Sequence, residues 1–95
     1  MGRKVLNIGD SGSGAINPTV KWVIENCPPP KTHGKFFPYQ YVHEQVYGWK
    51  TDLPGRQIRK DLDESVYELF FDHGIAVQLG VKFDANRGIR VINMR

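Results

Sequence analysis

The strongest hydrophobic pattern in the chain is a two-residue alternation near its C-terminal end. Ile75, Val77, Leu79, Val81 and Phe83 alternate with Ala76, Gln78, Gly80 and Lys82. Successive side chains of extended backbone point to opposite sides, so this pattern predicts a strand with one apolar face. Asp84-Ala85-Asn86-Arg87-Gly88 reads as a turn that returns the chain into a second strand over residues 89–94. An antiparallel hairpin is the expected result.

Residues 62–72 (LDESVYELFFD) carry two patterns at once. Leu62, Val66, Leu69 and Phe70 fall at helical spacing, Asp61 and Glu64 stand where a capping box would, and Gly74 stands where a helix would stop. Val66, Tyr67, Phe70 and Phe71 instead favour extended backbone, and Asp72-His73-Gly74 fits a compact turn into the next strand. A strand is expected here, which makes the C-terminal part a three-stranded meander.

The first half is broken by glycine and proline. Residues 4–8 (KVLNI) read as a short strand, followed by a flexible glycine-rich loop at residues 9–14 (GDSGSG). Asn17-Pro18 looks like an N-cap with proline at the first helical position. Residues 19–26 would then be about two turns of helix, although Thr19, Val20, Val23 and Ile24 leave a strand open. Pro28-Pro29-Pro30 is a stiff connector, and Pro38 confines any strand around it to a sheet edge. Asp52-Leu53-Pro54-Gly55 has the composition of a type II turn. The expected fold is a single small α+β domain with an antiparallel sheet and one or two short helices.

Ninety-five residues, 40% of them hydrophobic, suffice for one core. Lys and Arg number 13 against 10 acids, for a net charge of +3. Asp61, Asp63, Glu64 and Glu68 crowd together, which leaves the remaining surface more basic than the total suggests. Such a balance suits nucleic acid or an acidic partner. Cys27 is the one cysteine, so no intramolecular disulfide forms, and nothing beside it in sequence activates a thiol. No apolar run reaches the length of a signal peptide or a membrane span, and Leu6 replaces the hydroxyl residue usual in a myristoylation signal. A cytoplasmic location, of a cell or a host cell, is expected, with no membrane partner.

Three short resemblances bear on chemistry. The strand and glycine-rich run at 4–14 resemble the phosphate loop of small GTPases and ABC ATPases, which implies nucleotide binding. Ala15 and Ile16 stand where that loop needs a lysine and a magnesium-binding hydroxyl. The same residues resemble the first block of GDS-type hydrolases, which implies Ser11 as nucleophile and a late histidine as base. His73 is the sole late histidine, and the chain is shorter than that fold. Residues 66–95, with Tyr67-Glu68-Leu69, are similar to the C-terminal meander of RelE/HigB-type ribonuclease toxins, although Phe70 stands where an arginine commonly follows. None of the three carries an assignment. Cys27, His33, His43 and His73 match no zinc spacing, so no metal or cofactor is expected, and His33 and His43 are read as surface histidines.

The most biased segment is residues 31–50, with six of the eleven aromatics, three lysines, two histidines and one acid, Glu44. In extended backbone Phe37, Tyr39 and Tyr41 would share one face. Phe36, Phe37 and Trp22 are expected in the core. The candidate surface for nucleic acid or a partner comprises Lys31, Lys35, Tyr39, Tyr41, His43, Tyr47, Trp49 and Lys50, continued by Arg56, Arg59 and Lys60. Exposed rings there would stack on unpaired bases while the cations neutralise phosphates. A non-catalytic domain binding single-stranded RNA or DNA is the leading expectation. The alternative is a protein-interaction or inhibitor module, with self-association through an exposed sheet edge as one form of it. A third, an enzyme, would be a metal-independent ribonuclease with His43 or His33 as acid/base and Arg56 or Arg59 stabilising the transition state.

Overall fold

The structure, a computed structural model, describes residues 17–95. The strand expected at 4–8 and the glycine-rich loop at 9–14, with both resemblances built on them, lie outside these residues. The described chain runs α1 (Pro18–Glu25), β1 (Lys35–Pro38), α2 (Tyr39–Tyr47), α3 (Pro54–Asp63), α4 (Val66–His73), β2 (Ile75–Phe83) and β3 (Asn86–Asn93). It is an α+β domain with four helices rather than one or two. The sheet is antiparallel in the order β1-β3-β2.

Helix α1 begins as its sequence dictates. The Asn17 side-chain oxygen accepts from the amides of Thr19 at 3.0 Å and Val20 at 3.3 Å, with Pro18 inside the first turn. Packing decides the competition with strand, because Thr19, Val20, Trp22 and Val23 all become buried on one side of the helix. The Asp52–Gly55 segment is not a type II turn: Pro54 starts α3 in the same N-terminal role as Pro18.

The strand expected at 62–72 is a correction. Leu62 closes the buried stripe of α3 that begins at Ile58, and residues 66–73 form α4 around buried Leu69. Gly74, at φ 67°, takes the left-handed position that ends the helix. The aromatic and β-branched preference for strand yields here to a stripe that meets the core at helical spacing. Asp61 lies within α3 rather than capping the next helix, and Ser65 precedes α4 without a side-chain capping bond. The third strand is therefore β1, an edge strand ending at Pro38, and the toxin-like meander is absent from residues 66–72. Because β1 ends there, Tyr39 and Tyr41 lie in α2 and do not share an extended face with Phe37.

The hairpin β2–β3 is present, with Asp84 and Ala85 at its tip and Asp84 at φ 56°. The expected single apolar face is not. Leu79 pairs with Ile89, Gly80 is extra, and Val81 pairs with Gly88, so a bulge interrupts the alternation. Gly80 takes φ 70°, a conformation in which an L side chain is strained. A one-residue slip turns every later side chain to the other face. Ile75, Val77 and Leu79 face the helices, whereas Val81 and Phe83 face outward.

One core joins the layers: Ile75, Ile89, Val91, Leu62, Leu69 and Val42 are fully buried where the helices meet the inner sheet face. Trp22 and Phe37 join it, their rings edge to face at 4.9 Å, as expected of both, while Phe36 is half-buried. Among the described residues, no helix is long and apolar enough to cross a membrane.

Candidate functional site

The α2–α3 connection builds the most distinctive surface. Gly48 ends α2 in the left-handed conformation and its amide donates to the Glu44 carbonyl at 2.8 Å. The chain then reverses through Trp49 to Leu53 and enters α3. His43 fixes this reversal. Its ring lies 2.9 Å from the Trp49 carbonyl, which can only accept, so Nδ1 carries the proton. The Trp49 indole stands edge-on to that ring at 4.7 Å, and Tyr47 packs against it at 4.9 Å. His43 is 2% exposed and Trp49 58%. The surface assignment for His43 is thus corrected: its ring is a buried post under an exposed indole. His33 is exposed.

Two depressions adjoin here, sharing Leu53 and Arg56. One, of about 380 Å³, is lined by His43, Tyr47, Trp49, Leu53, Arg56 and Gln57 among others. Its neighbour, of about 510 Å³, is lined by Tyr39, Asp52, Leu53, Arg56, Arg59 and Arg87 among others. Three guanidinium groups and a single carboxylate, Asp52, therefore border the second depression. Arg56 and Arg59 are three apart on α3, on a side its buried Ile58 and Leu62 leave free. Arg87 arrives from the far end of the hairpin, where its Nη1 donates to the Gly80 carbonyl at 3.3 Å.

Under this surface a carboxylate ties the helices together. Asp61 accepts from the Thr19 hydroxyl at 2.7 Å, from the Tyr47 hydroxyl, and from the Gln57 amide at 2.7 Å. Its backbone carbonyl accepts from Asn17 at 2.8 Å. Helices α1, α2 and α3 each supply a donor. Burial first, then the bond to Asp61, push the Tyr47 hydroxyl above the ordinary tyrosine value of 10.0.

The remaining expected site residues scatter. Tyr39 is 6% exposed, a core residue whose hydroxyl accepts from the Gly80 amide at 2.7 Å. Tyr41, 46% exposed, packs near Trp22 and Phe37 at 6.2 and 6.1 Å, away from the two depressions. Lys35 holds its ammonium 5.3 Å from the Phe37 ring, and Lys31 sits in a turn at φ 66°. Lys50 is exposed beside Trp49 in sequence, and Lys60 is exposed one helical turn beyond Arg56. His43 and Arg56 line one depression together, whereas His33 lines neither.

Two contributors, Arg87 and Asp61, carry no sequence signal of their own for this site. Arg87 falls in a turn by its sequence, and the register of the hairpin brings it beside Arg59 at the second depression. Asp61 has the sequence position of a cap, although its spacing from Gln57 is one helical turn and points to the observed bond once the segment is helical. Among the described residues, no group of three or more His, Cys, Asp or Glu side chains is placed to hold a metal ion. No protein-family model, curated protein or solved structure matches this chain.

Proposed function

We propose that the chain is a non-catalytic domain that binds single-stranded RNA or DNA across the two adjoining depressions. The observation that carries this reading is the meeting of an exposed indole, Trp49, with Arg56, Arg59 and Arg87 on one continuous surface. A flat ring held by buried His43 offers a stacking platform for a base, and guanidinium groups a short distance along neutralise the phosphates on either side. Base stacking is tolerant of sequence, so the binding is predicted to be weakly selective among bases.

The test is a titration of fluorescently labelled single-stranded oligonucleotides at several salt concentrations. Binding should be clear at low ionic strength, with log K falling linearly in log salt at a slope of about −2 if three phosphates are contacted. No binding at the lowest salt, or binding that ignores salt, overturns the reading.

A further inference from the structure

Two other surfaces are too apolar for the free exterior of a small domain. The first is on α4. Leu69 points into the core, yet Tyr67, Phe70 and Phe71 are 77%, 43% and 74% exposed. Their rings already form a cluster, Tyr67 stacked on Phe71 at 6.4 Å and Phe70 edge-on to Phe71 at 5.2 Å. A helix apolar on its outer as well as its inner side is one that something covers.

The second is the outer face of the sheet. The bulge at Gly80 carries Val81 and Phe83 onto it, where they join Phe36 and Ile92. The Phe36 and Phe83 rings meet there at 5.3 Å. The buried core lies wholly on the opposite, helix-covered side.

The two surfaces differ in charge. Helix α4 bears Glu68 and Asp72 with no lysine or arginine, and Asp63 and Glu64 stand just before it. The outer sheet face bears Arg90, paired across the strands with Phe36 and Gln78, and among the described residues no acid. We propose that copies of this chain associate head to tail, the α4 aromatic face of one seated on the outer sheet face of the next. Packing α4 on α4 would set Glu68 and Asp72 against their own copies, and packing sheet on sheet would set Arg90 against Arg90. The crossed contact joins acid to base and ring to ring. It also supplies a helix to the sheet side that none of the described helices covers. Such a contact joins unlike surfaces, so it does not end at a dimer.

Sedimentation of the full chain over a wide concentration range tests this, with two variants that each remove one surface. Tyr67→Arg/Phe71→Arg changes α4, and Phe83→Glu changes the sheet face. Gln78→Glu, exposed on the same sheet face, replaces Phe83→Glu if circular dichroism shows that the latter fails to fold. The wild-type average mass should climb beyond a dimer with concentration, and each variant alone should associate at least tenfold more weakly. An equal mixture of the two variants should give a one-to-one pair, because one intact α4 still finds one intact sheet face. A wild-type chain that stays monomeric throughout overturns the proposal. Association of the wild type with no pair in the mixture also overturns it, since that outcome belongs to like-on-like contact.

Discussion

The Tyr39 hydroxyl accepts a hydrogen bond from the Gly80 amide at 2.7 Å, across 41 positions of sequence. This bond fastens the start of α2 to the bulge in β2, and the bulge carbonyl in turn receives Arg87 at 3.3 Å. The helix layer and the hairpin are thereby set at the spacing that brings Arg87 to Arg56 and Arg59.

Replacing Tyr39 by Phe leaves the Gly80 amide without this partner, at an expected cost of about 1–3 kcal/mol. Tyr39→Ala removes a buried ring as well and should cost about 3–5 kcal/mol. Urea unfolding measures both. A Phe variant as stable as the wild type would show that the bond does not hold the bulge.

Trp49 and Tyr41 should separate cleanly. Trp49→Ala removes a ring that is 58% exposed, so stability should move by less than about 1 kcal/mol while single-strand binding weakens by roughly 1–3 kcal/mol. Tyr41→Ala should lower stability more, because that ring packs near Trp22 and Phe37, and leave binding unchanged. Thermal melts and oligonucleotide titrations on the two variants check the pair, and collapse of the fold in Trp49→Ala would contradict the surface assigned to it.

The hairpin and α1 were legible because their signals are local: alternation from Ile75 to Leu79, and an Asn-Pro start at residue 17. The segment at 62–72 was not, since Tyr67, Phe70 and Phe71 favour strand intrinsically and only the burial of Leu69 against the sheet selects helix. The bulge at Gly80 hid in an alternation that looked unbroken, because Val81 and Phe83 keep the pattern while changing face. Of the candidate surface, Trp49, Arg56 and Arg59 were legible as a basic aromatic run. The burial of His43 and Tyr39, and the arrival of Arg87, depend on contacts between segments that sequence neighbours do not record.

Tyr47 gives a pH dependence with a definite sign. Its hydroxyl is held above the ordinary value of 10.0 in the fold, so well below pH 10 it is protonated in both folded and unfolded chains and its contribution is fully present. As pH rises above 10 the unfolded chain releases the proton more readily, and this contribution is lost through the folded value. Tyr47→Phe should therefore show a shallower alkaline loss of stability than the wild type in melts taken across that range. An equal slope in both would contradict the raised value.

Arg87→Ala should weaken binding by a similar factor for all single-stranded sequences and reduce the steepness of the salt dependence by about 0.7, the amount for one phosphate contact. Its effect on stability should be within about 0.5 kcal/mol if its exposed bond to Gly80 is its main structural contact. Titrations at several salt concentrations decide this, and an unchanged slope would remove Arg87 from the interface.

The most direct test of the binding surface is a chemical-shift map of the full chain titrated with a short single-stranded oligonucleotide at low salt. Shifts should centre on the Trp49 indole and on Arg56, Arg59 and Arg87, with the outer sheet face around Phe36 and Phe83 unmoved. No shifts, or shifts centred on the outer sheet face or on Tyr67, Phe70 and Phe71, would contradict that binding surface.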